Sequence, residues 1–140
     1  MERTLLIVKP DAVAARKTGL ILATVEEEGF TILAMEKRRV SEVEAKAFYE
    51  IHKEKPFYDS LVDFMTSGPV VLCALEKANA VADLRALVGD TDPARSQEGT
   101  IRRLYGSTVQ NNAVHASDSV QNGLLEVAFF FSEGRLLRTK

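Results

Sequence analysis

The stretch Asn112-Ala113-Val114-His115-Ala116-Ser117-Asp118-Ser119 is the part of the sequence around which the rest of the chain is organised. A single histidine stands there among small and polar residues. Several arginines precede it, and a helical pattern follows. We expect a short strand around Val114 and a long helix that is capped by Ser119 and ends before Gly134. The histidine would then lie at the junction between a strand and a helix.

Length and composition restrict the class of protein. A chain of 140 residues is the size of one domain, so we expect a single domain over residues 1–140. The net charge of -2 argues against a general nucleic-acid binder. No apolar run reaches the roughly 18 residues that a membrane-spanning helix needs. The single cysteine, Cys73, and an N-terminus unlike a secretory signal indicate a cytoplasmic protein.

Three further apolar runs predict strands. The run Thr4–Val8 has the pattern of a buried central strand, and it is followed by Lys9-Pro10. Because proline cannot continue a ladder, Lys9 would lie at the carboxyl end of that strand. A lysine in this place could bind a phosphate or a ribose hydroxyl, or it could simply be solvated. The other strands are expected from Phe30 onward and over Val70–Leu75.

A helical hairpin is predicted between the second and third strands. Ser41–Glu44 has the spacing of a capping box, Pro56 interrupts the helix that follows, and Phe57–Thr66 resumes it. Phe57 at the tip could stack on a nucleobase or could belong to the core of the hairpin. Tyr49 is expected to lie off the buried face of the first helix. That face is predicted to contain Val43, Ala47, Phe48 and Ile51.

The remaining elements complete the predicted fold class. Thr18–Glu28 and a segment from Asn79 to Val88 are expected to be helices, and residues 89–98 form a long turn-rich loop of the kind that is often functional. The order is strand, helix, strand, helical hairpin, strand, helix, loop, strand, helix. This order is typical of the α+β, ferredoxin-like split βαβ fold. We therefore predict a four-stranded antiparallel sheet with an added helical hairpin and a long active-site loop.

The chemistry predicted for the histidine is phosphoryl transfer. The chain contains neither the P-loop motif nor the motifs of protein kinases, so the remaining design is a covalent phosphoenzyme. An imidazole suits this role because its lone pair is available near pH 7. Glu126, on the last helix, is the best candidate to hold the other ring nitrogen of His115, and Ser117 could bridge to it.

Positive charge around a phosphoryl group is the second requirement of such chemistry. We predict that Arg85 and Arg102 bind the phosphate and that Thr91 adds a hydroxyl. The planar guanidinium binds two phosphate oxygens at once, and several arginines lie between the long loop and the histidine. Arg95 and Arg103 are expected to be surface charges.

The motifs "NAVHASDS", "ERTLLIVKPDAV" and "GTIR" resemble those of nucleoside diphosphate kinases, and the similarity extends over nearly the whole chain. The resemblance implies a ferredoxin-like sheet and a ping-pong transfer of the γ-phosphate through His115. It implies nucleoside di- and triphosphates as partners, Mg2+ carried with the nucleotide, and a homo-oligomer, either tetramer or hexamer. Ala116 stands where many relatives have glycine. The residues that match the family's binding and supporting positions are Lys9, Tyr49, Phe57, Leu61, Arg85, Thr91, Arg102, Val109, Asn112, Ser117 and Glu126.

Two other functions are compatible with parts of the pattern. A regulatory module could bind nucleotide through Phe57 and the arginines without turnover, but it would have no need of a nucleophile. A histidine phosphatase would carry an R-H-G motif around its nucleophile, and this motif is absent. Labelling by a nucleoside triphosphate would distinguish the kinase from both.

Overall fold

Four strands form one antiparallel sheet in the computed structural model, which describes all residues from Met1 to Lys140. The sheet order is that of the expected ferredoxin-like α+β fold, with the two most deeply buried strands at its centre. The prediction of the fold class is therefore confirmed. The strands are β1 (Glu2–Val8), β2 (Thr31–Arg38), β3 (Val70–Lys77) and β4 (Val114–Ala116), arranged as β2-β3-β1-β4.

Helices and one long loop connect these strands. The predicted helical hairpin lies between β2 and β3, and the long loop follows the helix after β3. None of the helices is long and apolar enough to cross a bilayer. They are α1 (Pro10–Ala14), α2 (Thr18–Glu27), α3 (Glu42–Phe48), α4 (Tyr58–Met65), α5 (Ala80–Val88), α6 (Ile101–Tyr105), α7 (Val120–Phe130) and α8 (Glu133–Leu137), with single 3-10 turns at Glu50–His52 and Pro93–Arg95.

The strand β1 supplies side chains to both faces of the sheet, because successive residues of a strand point in opposite directions. Leu6 and Val8 belong to the core under α2 and α5. Leu5 and Ile7 belong to the core under the hairpin and α7. His115 pairs with Ile7, so it lies on the second face. This pairing directs the imidazole towards α7 and the hairpin.

The buried face predicted for the first hairpin helix was right for Phe48, which packs against the core, and wrong for Val43, Ala47 and Ile51. Val43 and Ile51 are each 79% exposed, whereas Ala45 and Tyr49 are buried. Two apolar stripes with helical spacing compete in this segment, and the capping box at Ser41 does not decide which of them faces the sheet. Contact with the rest of the fold makes that choice.

Other helix predictions also needed correction. The sequence predicted no helix at α1, although Pro10 is well suited to the first helical position. The final helix was expected to run on towards Gly134, but α7 ends at Phe130 and Gly134 lies in the separate helix α8.

Thr4 gives the first testable prediction. Its side chain is fully buried, and its hydroxyl oxygen has no hydrogen-bond partner. Replacing a buried, unpaired hydroxyl with a methyl group removes a desolvation cost, so Thr4→Val should raise the free energy of unfolding by about 1 kcal/mol. Urea denaturation measures this change. Thr24→Val is the control, because the Thr24 hydroxyl donates to the Leu20 carbonyl and its loss should bring no gain. A loss of stability in Thr4→Val would contradict the prediction.

Candidate active site

The imidazole of His115 is held by one of its two nitrogens. Nε2 lies 2.7 Å from Oε1 of Glu126, which is on α7. An ionised carboxylate can only accept a hydrogen bond, so Nε2 carries the proton and Nδ1 keeps its lone pair. The side chain of His115 is 19% exposed, which leaves the ring accessible to a ligand. The free nitrogen is therefore Nδ1.

Ser117 connects this pair to the centre of the sheet. Its hydroxyl donates to Oε1 of Glu126 at 2.7 Å and accepts from the backbone N–H of Leu5 at 3.1 Å. Ser117 is fully buried, so this end of the connection is shielded from water. The structure thus brings together the histidine, carboxylate and hydroxyl that the sequence singled out, and it fixes both the tautomer and the orientation of the ring.

An aromatic side chain that sequence reasoning assigned only to packing contacts His115. The ring of Phe48 packs edge-on against the imidazole, with 5.5 Å between the ring centroids. Tyr49 lies behind Phe48 at a centroid distance of 4.9 Å. Burial, and secondly the charge of Glu126, raise the pKa of the Tyr49 hydroxyl. Both aromatic residues lie at the C-terminal end of the first hairpin helix. The sequence does not show how this helix is rotated about its own axis, so it could not show that Phe48 contacts His115.

Lys9 and Asn112 form a second connected group beside the histidine. Nζ of Lys9 donates to Oδ1 of Asn112 at 2.8 Å, and Nδ2 of Asn112 donates to the carbonyl of Thr91 at 3.0 Å. Lys9 is only 7% exposed. Burial, and secondly the charge of the nearby Arg102, lower the pKa of Lys9 to about 8, although Asp11 acts in the opposite direction. This lysine is not the simple solvated residue that the sequence also allowed.

Arg102 is a buried cation on α6. Its guanidinium donates to the carbonyl of Gly89 at 3.2 Å and to the carbonyl of Val114 at 2.9 Å, and its Nε is buried without a partner. Burial lowers the pKa of Arg102 to about 10, and repulsion from Arg85 contributes, whereas Asp90 opposes the change. Arg102 thus lowers the pKa of Lys9, and Arg85 lowers that of Arg102; such repulsion between cations favours the binding of an anion.

The long loop is shaped by hydrogen bonds among its own residues. The hydroxyl of Ser96 accepts from the N–H of Asp90 at 3.1 Å and lies 2.6 Å from the Thr100 hydroxyl. Gly89 has a positive φ of 91°, and a Cβ there would come within 1.9 Å of the Ser96 hydroxyl oxygen. Only glycine fits this position, so the loop presents the Gly89 carbonyl to Arg102 in one defined place.

The residues expected to line a base-binding slot lie on two segments that face each other. Phe57, at the start of α4, is 47% exposed, and its ring centroid is 5.5 Å from that of His52. Val109 is 58% exposed, and its neighbour Gln110 donates to the hydroxyl of Ser60 at 2.8 Å. That bond joins the segment before β4 to α4, next to the half-buried Leu61. Phe57 is thus not a core residue of the hairpin.

The remaining polar candidates are exposed. Arg85, on the outer side of α5, and Thr91, in the loop, are both exposed and lie beside the buried groups Arg102 and Asn112. Arg95 and Arg103 are also exposed, and they interact only with Asp92 and the Ala94 carbonyl of the loop. The four arginines therefore form two groups. Arg85 and Arg102 lie together beside the candidate site, whereas Arg95 and Arg103 interact only with residues on the outside of the loop.

The lowered pKa of Lys9 predicts how the binding of the phosphate substrate expected from the sequence depends on pH. Lys9 in the folded protein loses its proton near pH 8, whereas an exposed lysine loses it near 10.5. If the charged form binds phosphate, kcat/KM for a nucleoside triphosphate should fall as the pH rises above about 8, since kcat/KM reports the free enzyme. The effect of Lys9 on the free energy of unfolding has the opposite sign. The unfolded chain holds more protons than the folded chain over this range, so the Lys9 contribution to stability increases from pH 8 upward.

Steady-state rates between about pH 7 and about pH 9.5 measure the first of these effects. The control is Lys9→Gln, which should be less active but should lack the step near pH 8. The same step in Lys9→Gln would assign the titration to another group.

The fold and the site define a class of α+β proteins in which a carboxylate-supported histidine follows a backbone segment that is bonded to two buried, cationic residues, Lys9 and Arg102. Comparison with known proteins gives the family. The sequence model described as nucleoside diphosphate kinase matches residues 2–136. The chain belongs to the nucleoside diphosphate kinase family.

Individual relatives are similar over almost their full length. The chain is 51% identical over 138 residues to a nucleoside diphosphate kinase of Chlorobaculum tepidum, covering 99% of each chain. It is 51% identical to one of a Methylobacterium species, covering 98% of each. The solved nucleoside diphosphate kinase of Aquifex aeolicus superposes with a TM-score of 0.93 at 41% identity, covering 96% of this chain and 97% of that one. A halophilic nucleoside diphosphate kinase from Halobacterium salinarum, solved in complex with CDP, has a TM-score of 0.92 at 38% identity, covering 96% and 90%.

Proposed function

We propose that this chain is a nucleoside diphosphate kinase that transfers the γ-phosphate of a nucleoside triphosphate to a nucleoside diphosphate through a phosphohistidine at His115. The observation that carries the proposal is the 2.7 Å bond between Nε2 of His115 and Glu126, which leaves Nδ1 free to act as the nucleophile. Membership of the family, and relatives with this name at about half identity, support the same reaction. The whole chain, residues 1–140, acts as one domain in this proposal.

The reaction consists of two half-reactions on the same nitrogen. The Nδ1 lone pair attacks the γ-phosphorus, an N–P bond forms, and the bond to the bridging oxygen breaks, so that the nucleoside diphosphate leaves with both electrons of that bond. A second nucleoside diphosphate then attacks the phosphohistidine with its terminal oxygen and regenerates the lone pair. The ring gains positive charge when it is phosphorylated, and Glu126 offsets this charge through Nε2–H.

Buried and exposed cations have different roles in this proposal. Lys9 and Arg102 are held by the fold before any ligand binds, so they cost little reorganisation when a polyphosphate arrives. Arg85 and Thr91 lie at the exposed side and close on the terminal phosphates. Asn112 keeps Lys9 in place and is available to the sugar hydroxyls or phosphates. Mutual repulsion of the cations is relieved by the negative charge of the nucleotide.

The base is expected to bind by stacking. Phe57 offers an exposed aromatic face, and Leu61 and Val109 offer apolar side chains on the two facing segments. Stacking and apolar contact depend weakly on the identity of the base, because every base has a π-face. We therefore expect poor discrimination among bases, as suits an enzyme that exchanges phosphate between different nucleotides.

Mg2+ is expected to arrive with the nucleotide. The carboxylate nearest to His115 is Glu126, which is already bonded to the imidazole and to Ser117. Phosphate oxygens and water are therefore the ligands that the ion would keep, as magnesium prefers. When bound, the ion would supply charge neutralisation on the phosphates, while this chain's residues position them. The proposal also includes a cytoplasmic location and a homo-oligomer, with tetramer and hexamer both open.

One experiment tests the proposed function. The protein is incubated with ATP and Mg2+, and intact mass spectrometry follows the appearance of an acid-labile phosphate. Addition of GDP should remove that phosphate and produce GTP. Binding of nucleotide without labelling would instead support a regulatory module and would overturn the proposal.

A further inference from the structure

The residue before β4 has an unusual backbone conformation. Ala113 has a positive φ of 74°, although it is not glycine, and it is completely buried. The N–H of Val114 donates to the carbonyl of Asn112 at 2.9 Å, which closes a three-residue γ-turn around Ala113. The γ-turn with positive φ at its centre is rare and strained, so it persists only where the surroundings hold it.

The surroundings of this turn are the three residues Lys9-Pro10-Asp11. A carboxylate oxygen of Asp11 accepts from the N–H of Ala113 at 3.1 Å. The backbone N–H of Lys9 donates to the carbonyl of Ala113 at 2.8 Å. The other oxygen of Asp11 is buried and has no partner, so the carboxylate makes its only hydrogen bond to the turn. Both polar groups of the Ala113 backbone are thus held by one segment.

The turn lies between two groups of the proposed site. Asn112 precedes it, and His115 is two residues beyond it in β4, a strand of three residues. Such a short strand has few ladder bonds to define its register, and a slip by one residue would turn His115 to the opposite face of the sheet. The geometry of the turn therefore determines where Asn112 and His115 lie relative to each other.

We propose that Asp11 is a positioning residue: its carboxylate holds the Ala113 turn and thereby places Asn112 and His115 for the nucleotide. This inference rests on the proposed function for its kinetic consequences. The inference depends on the Asp11 oxygen as a hydrogen-bond acceptor, because the N–H of Ala113 has no other partner in the fold. The negative charge of Asp11 near Lys9 is a separate property and can be tested separately.

Two substitutions at residue 11 separate the acceptor from the charge. Asp11→Asn retains an oxygen that can accept from Ala113 and removes the charge. Asp11→Ala removes both. A third substitution, Ala113→Gly, makes the positive φ inexpensive because glycine has no Cβ, so the turn should then depend less on residue 11. Ala113→Gly alone, and combined with Asp11→Ala, completes the set.

The experiment measures phosphorylation of His115 by ATP and Mg2+ in single turnovers, with circular dichroism as the check on folding. Asp11→Ala should slow phosphorylation by about 30-fold, since a displacement on the order of 1 Å can cost about a hundredfold. Asp11→Asn and Ala113→Gly should stay within about threefold of the original protein, and the double variant should recover most of the loss. Equal losses in Asp11→Asn and Asp11→Ala would assign the effect to charge and overturn the proposal, as would an unchanged rate in Asp11→Ala or a double variant as slow as Asp11→Ala.

An activity-independent measurement distinguishes this proposal from the proposed function. Amide hydrogen exchange of Ala113, observed by NMR, should be fast in Asp11→Ala and slow in Asp11→Asn. If the unaltered protein takes no phosphate, the proposed function fails while the exchange data still test the turn. If Asp11→Ala exchanges as slowly as the unaltered protein, the carboxylate does not hold the turn and the inference fails. Should Asp11→Ala not fold by itself, amide exchange at residue 113 is compared between Ala113→Gly and its combination with Asp11→Ala, and equally slow exchange in the two would overturn the proposal.

Discussion

His115→Ala should abolish phosphoenzyme formation and lower kcat by about 10⁴-fold or more, because removal of the nucleophile leaves only the binding contribution of the site. The imidazole is partly exposed and makes one hydrogen bond, to Glu126, so we expect the variant to remain folded. Glu126 keeps its bond to Ser117 when the ring is removed. Intact mass after incubation with ATP and Mg2+, together with steady-state rates, measures the result.

The chain provides a matched control for this prediction. It contains only two histidines, and the second one, His52, lies in the hairpin against Phe57. His52→Ala should therefore still accept phosphate, with an effect confined to nucleotide affinity. A phosphate that persists in His115→Ala, or disappears only in His52→Ala, would remove His115 from the mechanism.

Arg102→Ala should produce the second-largest effect, a loss of about 100-fold or more in kcat/KM, the magnitude found when one donor to developing charge is removed. The guanidinium also pairs with the Gly89 and Val114 carbonyls, so the free energy of unfolding should fall by about 1–3 kcal/mol for each carbonyl left unpaired. Arg102→Lys keeps the charge but cannot span both carbonyls, and we expect it to recover only part of either property.

Arg103→Ala is the matched control for Arg102. Arg103 is the next residue on α6, but it is exposed and its guanidinium donates only to the Ala94 carbonyl. Its removal should leave kcat/KM within about threefold and stability within about 0.5 kcal/mol. Rates are measured well below the unfolding temperature of each variant. An Arg102→Ala protein as active as Arg103→Ala would show that Arg102 acts only on the structure of the loop.

The sheet could be predicted from the sequence because its strands are short apolar runs between clear breaks. The run Thr4–Val8 and the run Val70–Leu75 are central and buried on both faces, so their pattern is continuous rather than alternating. The rotation of α3 could not be predicted in the same way. Val43 and Phe48 are both apolar residues of α3, and only packing on the sheet shows that Phe48 is turned inward and Val43 outward.

The candidate site was predictable where its residues are close in sequence and carry recognisable chemistry. His115, Ser117 and Glu126 lie in one strand, the connection after it and the helix that follows, so their proximity is local. The contact of Asp11 with Ala113 was not predictable, because an alanine in a left-handed conformation has no sequence pattern. A positive φ at alanine results from tertiary bonds, and these exist only after the sheet has formed.

The bond between Lys9 and Asn112 joins residues that are 103 positions apart. During synthesis, the ribosome releases the β1 end long before β4 emerges, so the nucleotide site cannot exist until most of the polypeptide has been made. Contacts of such long sequence separation are among the slowest to form and contribute to a high contact order. The same dependence applies in reverse: local fraying of the three-residue β4 would inactivate the molecule while the rest of its sheet remained intact.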